Sequence, residues 1–103
     1  MLVYDLNIKI DKDIHEEWVE WMQQVYIPKA IESNHFEYCR VFKHQRNEKG
    51  GKTYSFHFYV KSFEDMEAFL DNEEIPLLEE HQNKFKGRYF LTKSYLDFLD
   101  EIS

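Results

Sequence analysis

The sequence has little of what usually makes a function legible. A single cysteine, Cys39, stands in 103 residues, so no disulfide can form within the chain and a sulfur-stapled fold is excluded. Cys39 reads as a small core or strand residue rather than a nucleophile, and a reducing compartment, the cytoplasm, is the expected location. Only 3 Gly and 2 Pro are present, which leaves little material for linkers or for disorder beyond the last few residues. No long apolar run occurs, and the start Met1-Leu2-Val3-Tyr4-Asp5 has no basic segment; neither a membrane span nor a signal peptide is expected. Bases are few, 13 Lys and Arg against 20 Asp and Glu, for a net charge of -7. A protein that neutralises phosphates needs the opposite balance, so nucleic acid is not an expected partner.

Catalytic and metal motifs are also missing. His15, His35, His44, His57 and His81 show neither H-x-H nor H-x-x-x-H spacing, so no metal site is expected. Gly50-Gly51 follow no strand-to-helix turn, which excludes a phosphate cradle. No nucleophile elbow or Cys–His dyad supports hydrolysis. The reading carries no resident cofactor.

What remains is apolar and strongly patterned: 43% hydrophobic and 17% aromatic residues, enough for one core in a single domain spanning residues 1–103. Leu2, Tyr4, Leu6, Ile8 and Ile10 alternate with Val3, Asp5, Asn7, Lys9 and Asp11, which predicts a first strand with its even side in the core. Asp13, with Glu16 three residues on, predicts a capped helix whose apolar face is Ile14, Trp18, Trp21, Met22 and Val25. Pro28 predicts a kink, or a fresh turn running to about Asn34. Phe36 to Gln45 reads as strand two, with either Phe36, Tyr38, Arg40 and Phe42 or Cys39 and Val41 on its outer side. A hairpin loop at Asn47-Glu48-Lys49-Gly50-Gly51 leads to Tyr54-Ser55-Phe56-His57-Phe58-Tyr59-Val60. There Tyr54, Phe56, Phe58 and Val60 form an apolar face, and Ser55, His57 and Tyr59 a semi-polar one. Ser62 with Asp65 caps a second helix (Phe63, Met66, Phe69, Leu70), interrupted at Ile75-Pro76 and resumed by Leu77, Leu78, His81 and Phe85. Gly87 ends it. Arg88 to Phe98 gives strand four, and Asp97 to Ser103 either extends it or reaches onto a neighbour.

Charge is uneven along this pattern. Ser62 to Phe85 holds eight carboxylates and one Lys, read as a solvated helix face. Arg40 to Lys52 holds five bases and one acid, read as a guarded edge hairpin.

The order strand, helix, strand, twice over, predicts an α+β fold: a ferredoxin-like βαββαβ sandwich with a four-stranded antiparallel sheet and two kinked helices on one face. Strands one and three are expected side by side in the centre, as a parallel pair. The uncovered face, with Asp5, Asn7, His57 and Tyr59 among aromatics, would be sticky in a monomer. A two-fold homodimer, sheet against sheet, closes it into a barrel.

The elements Tyr4-Asp5-Leu6-Asn7-Ile8, Trp18-Val19-Glu20-Trp21-Met22, Ile27-Pro28, Gly50-Gly51 to Tyr54-Ser55 and Pro76-Leu77-Leu78-Glu79-Glu80-His81 resemble a family of short bacterial proteins known as domain of unknown function 4286. That family resembles the dimeric α+β barrel superfamily, which includes small cofactor-free monooxygenases and haem-degrading enzymes. The resemblance implies the fold and no activity. By position, the haem-degrading members' Asn, Trp and His fall here on Asn7, Phe69 and His81, with no Trp.

The candidate catalytic residues are Asn7, His57 and Tyr59, a cluster able to handle a proton or orient a carbonyl. Asp5, Asn7, Arg40, His57, Tyr59 and His81 are the candidate ligand-binding residues. The leading expectation is a small-ligand-binding or interaction module without catalysis; the alternative is a small cofactor-independent monooxygenase-like or haem-handling enzyme.

Overall fold

β1 (Leu2–Asp11), β2 (Phe36–Lys43), β3 (Gly51–Val60) and β4 (Tyr89–Asp97) form one sheet in the order β2-β3-β1-β4, with every neighbouring pair antiparallel. This is the ferredoxin-like α+β fold, seen in a computed structural model that describes residues 1–45 and 48–103. Arg46 of the basic stretch and Asn47 of the expected loop lie outside the described residues. The expected parallel central pair is corrected: Leu2 pairs with Val60 and Ile10 with Lys52 in an antiparallel register. β3 reverses relative to β2, and β2 runs with β1, so β3 has to run against β1.

After β1 the chain makes a 3-10 turn (Lys12–Ile14), α1 (His15–Trp21), a π turn (Met22–Tyr26) and α2 (Ile27–Glu32). The cap expected at Asp13 does not form. Its carboxylate accepts from Arg88 Nη2 at 2.6 Å, and Asp11 accepts from Arg88 Nε at 2.6 Å. A charge-assisted bond outcompetes a backbone cap. At Pro28 the helix widens instead of stopping: the Ile27 N–H reaches Met22 O, five residues back. Pro28 has no N–H to offer, and the π turn absorbs the mismatch. The segment then closes at Asn34, in the left-handed region at φ 67°.

Ser62 caps α3 (Phe63–Asn72) as expected, accepting from Asp65 N–H at 3.1 Å and donating to Asp65 Oδ2 at 2.8 Å. α4 (Glu74–Phe85) follows after a break of one residue at Glu73. Pro76 sits in its first turn, where the missing N–H costs little. Gly87, at φ 76°, makes the turn into β4.

All four helices cover the even side of β1 and β3. Tyr4, Leu6, Ile8, Ile10, Tyr54, Phe56, Phe58 and Val60 are buried there against Trp18, Met22, Tyr26, Met66, Phe69, Leu77 and Phe85. A bulge between Phe36 and Tyr38 decides which side of β2 faces out. Phe36 goes under the helices, 4.6 Å ring to ring from Phe69, while Tyr38, Arg40 and Phe42 go to the open side. One acid departs from the expected solvated face. Glu74 is 6% exposed and accepts from the Tyr4 hydroxyl at 2.6 Å and from Lys93 Nζ at 3.1 Å. Beyond Asp97 only the Phe98 N–H to Met1 O bond, 2.8 Å, continues the edge, and Leu99 and Ile102 are exposed. Among the described residues no helix is long and apolar enough to cross a membrane.

Candidate ligand site on the open sheet face

Period-two alternation puts every second residue of each strand on the open side, and the register aligns them in rows. Tyr38, Tyr59, Val3 and Leu96 form one row; Arg40, His57, Asp5 and Ser94 the next; Phe42, Ser55, Asn7 and Thr92 the third. The first row is largely apolar, the second is polar, and the third is polar apart from Phe42.

A hydrogen-bonded chain crosses the polar rows. The Ser55 hydroxyl donates to Asn7 Oδ1 at 2.5 Å, and Asn7 Nδ2 donates to Asp5 Oδ2 at 3.0 Å. His44 Nε2 lies 2.8 Å from Ser55 Oγ. The Ser55 proton is committed to Asn7, so His44 must donate there. At the other end His57 Nε2 stands 3.3 Å from Asp5 Oδ1, an ion-pair distance. The pair is not aligned as a hydrogen bond, and Asp5 Oδ1 is buried without a partner. A carboxylate 8% exposed that lacks one donor is a high-energy acceptor.

The sequence candidates therefore fall into three places. Asp5, Asn7 and His57 meet, joined through Asp5 rather than by direct contact of Asn7 with His57. Tyr59 and Arg40 form a neighbouring group: Tyr59 stacks on Tyr38 at 4.5 Å, and the Arg40 guanidinium carbon lies 5.4 Å from each ring centroid. His81 is on the far side of the sheet, in the core. There Trp18 Nε1 donates to His81 Nε2 at 2.9 Å, and Trp21, Tyr26, Phe85 and Tyr89 crowd the ring. Burial pushes its pKa down to about 4. The sheet thus lies between Asn7 on one side and Phe69 and His81 on the other.

Sequence reasoning passed over His44 as a member of this chain. It continues the open-side alternation of Tyr38, Arg40 and Phe42, and that parity is the signal that identifies it. Cys39 keeps its proton, since burial pushes the thiol up to about 12. A void of about 50 Å³ between Trp18, Met22, Tyr54 and Phe56 is far below the ~300 Å³ of ordinary ligand pockets. Among the described residues no group of three or more His, Cys, Asp or Glu is placed to hold a metal ion.

Ser55→Ala tests whether the chain is a connected network. It leaves Asn7 Oδ1 and His44 without their shared partner and is expected to lower unfolding stability by about 1–2 kcal/mol. Urea unfolding would show this as a lower midpoint with an unchanged slope.

A family model described as domain of unknown function (DUF4286) matches residues 1–99. No curated protein matches the chain. Solved structures share its fold. HapK from Hahella chejuensis is similar over 100% of this chain and 97% of its own, with 12% identity and TM-score 0.69. A dimeric ferredoxin-like protein from an uncultured marine organism covers 100% and 99%, with 14% identity and TM-score 0.69. SnoaB, a cofactor-independent oxygenase from Streptomyces nogalater solved as a point mutant, covers 98% and 96%, with 7% identity and TM-score 0.67. These likenesses concern the fold.

Proposed function

This chain belongs to the DUF4286 family, and we propose that it is a small-ligand-binding module of the cytoplasm, one domain acting as a homodimer closed through the open face of its sheet. One observation carries the reading: the polar strip of Asp5, Asn7, Ser55 and His57 is framed by large exposed apolar side chains. Tyr38 is 39% exposed, Phe42 46%, Leu96 44% and Phe90 77%. An apolar frame of this kind gains free energy by meeting a second copy of itself, and a two-fold axis makes the patch self-complementary. The polar strip then lines the enclosed space and supplies the few oriented donors and acceptors that give a small-molecule site its specificity. The marine neighbour described as a dimeric ferredoxin-like protein supports the same assembly.

Light scattering on a gel-filtration column at micromolar concentration tests this. The wild type is expected to run as a dimer. Leu96→Asp, a charge placed at an exposed position, is expected to give a folded monomer. A monomeric wild type overturns the reading.

A second reading, a small cofactor-independent oxygenase, draws on the His57 ring backed by the Asp5 carboxylate, a pairing suited to accepting a substrate proton. His57→Ala separates the two: a binding module binds its ligand more weakly and shows no turnover in either form, whereas an enzyme loses a turnover that the wild type shows.

A further inference from the structure

Arg40 is held in an unusual way for an exposed cation. Its guanidinium carbon lies beside the stacked pair of Tyr38 and Tyr59 rings, 5.4 Å from both centroids, and those centroids are 4.5 Å apart with planes 28° apart. Contact with both rings restrains the side chain and leaves its N–H donors free. Among the described residues no carboxylate pairs with it. Arg88 shows the contrast, with Asp11 and Asp13 both at 2.6 Å. The open-side carboxylates Asp5 and Glu48 have other neighbours. Asp5 takes Asn7 and faces His57; Glu48 accepts from the Thr53 hydroxyl at 2.7 Å and lies 3.9 Å from Lys9 Nζ. A guanidinium enclosed without a counter-charge is costly, and an anion bound at its N–H fork offsets that cost.

We propose that Arg40 is the anchor of an anion site, and that its ligand is a small planar aromatic carboxylate. The free N–H fork matches a carboxylate in bidentate fashion. Next along the strand, Phe42 presents a 46% exposed ring, packed 5.0 Å from the His57 ring. Its ring offers an apolar wall for the aromatic body of the ligand. His57, the cross-strand partner of Arg40, faces the same ligand beside its carboxylate. In a chain of net charge -7, this unpaired cation is where an acid is drawn in. The ligand class rests on the homodimer reading for the enclosure of the site but not for the Arg40 contact.

Calorimetric titration with benzoate tests it, with benzamide as the neutral isostere, acetate as the anion without a ring, and light scattering on the same samples. Benzoate is expected to bind the wild type saturably. The affinity is expected to fall about tenfold or more in Arg40→Gln and by less in Arg40→Lys, which keeps the charge and loses the fork. Far-ultraviolet circular dichroism confirms that both variants remain folded. Benzamide matching benzoate, or Arg40→Gln binding benzoate as the wild type does, overturns the anion site. Acetate matching benzoate overturns the aromatic part. A dimer that ignores benzoate refutes this proposal alone. A monomer that binds benzoate through Arg40 refutes the dimer and leaves the anion site standing.

Discussion

Lowering the pH from 7 to about 4 is expected to remove about 3 kcal/mol of folding stability through His81 alone. The ring is 1% exposed, and burial lowers its pKa from 6.5 to about 4. Its Nε2 is the acceptor for the Trp18 indole N–H, so a proton there also breaks that bond. Above pH 6.5 the ring is neutral folded or unfolded, and nothing is lost. Between 6.5 and about 4 the unfolded chain takes up a proton that the folded chain refuses, so stability falls steadily. Below about 4 both states are protonated and the loss levels off. Urea unfolding at pH 7, 5.5 and 4 measures it. His81→Phe provides the control: it keeps an aromatic ring in the cage but leaves the Trp18 N–H unpaired, which costs about 1–3 kcal/mol at pH 7. The pH dependence over this window should then be about 3 kcal/mol smaller than in the wild type. Equal slopes for the two proteins would refute the assignment to His81.

The second large effect concerns Glu74, the acid that the fold hides under the helices. Its carboxylate accepts a 2.6 Å bond from the Tyr4 hydroxyl and a 3.1 Å bond from Lys93. Burial, helped by Tyr26 and Glu74 itself, raises the pKa of Tyr4, so the hydroxyl keeps its proton and acts as a donor. Tyr4→Phe deletes a short charge-assisted bond to a buried anion and is expected to cost about 2–3 kcal/mol. Lys93→Met removes the counter-charge and is expected to cost about 3 kcal/mol, at the low end for buried pairs because the lysine keeps one-third of its side chain in water. Glu74→Met removes the buried charge itself and should be the mildest of the three, since Lys93 can still reach solvent. Thermal melts of the three variants check this order; Glu74→Met as the most damaging change would contradict it.

Much of the fold was written locally. The alternation in β1 and in Tyr54 to Val60 assigned the core side correctly, because a strand has no other way to segregate apolar from polar side chains. The Ser62 cap held because nothing else competes for its hydroxyl. Asp13 failed as a cap because Arg88, far along the chain, claims its carboxylate. Pro28 and Glu74 have the same kind of explanation. A widened turn and a buried tyrosine–lysine cradle depend on neighbours that adjacent residues do not announce. The candidate site divides in the same way. Asp5, Asn7, His57 and Tyr59 were identifiable from parity alone, whereas the outward placement of Arg40 depends on the β2 bulge, and the separation into a hydrogen-bonded chain and an aromatic-held cation follows from register.

The sequence by itself determined the ferredoxin-like order of elements, the helix-covered side of the sheet and the open side with its histidine and tyrosine, because periodicity and capping act over a few residues. Tertiary structure alone decided that β1 and β3 run antiparallel, that a bulge turns Tyr38, Arg40 and Phe42 outward, and that His81 lies in the core. Those outcomes depend on which strands pair and in what register, and pairing energy belongs to contacts between residues far apart in the chain.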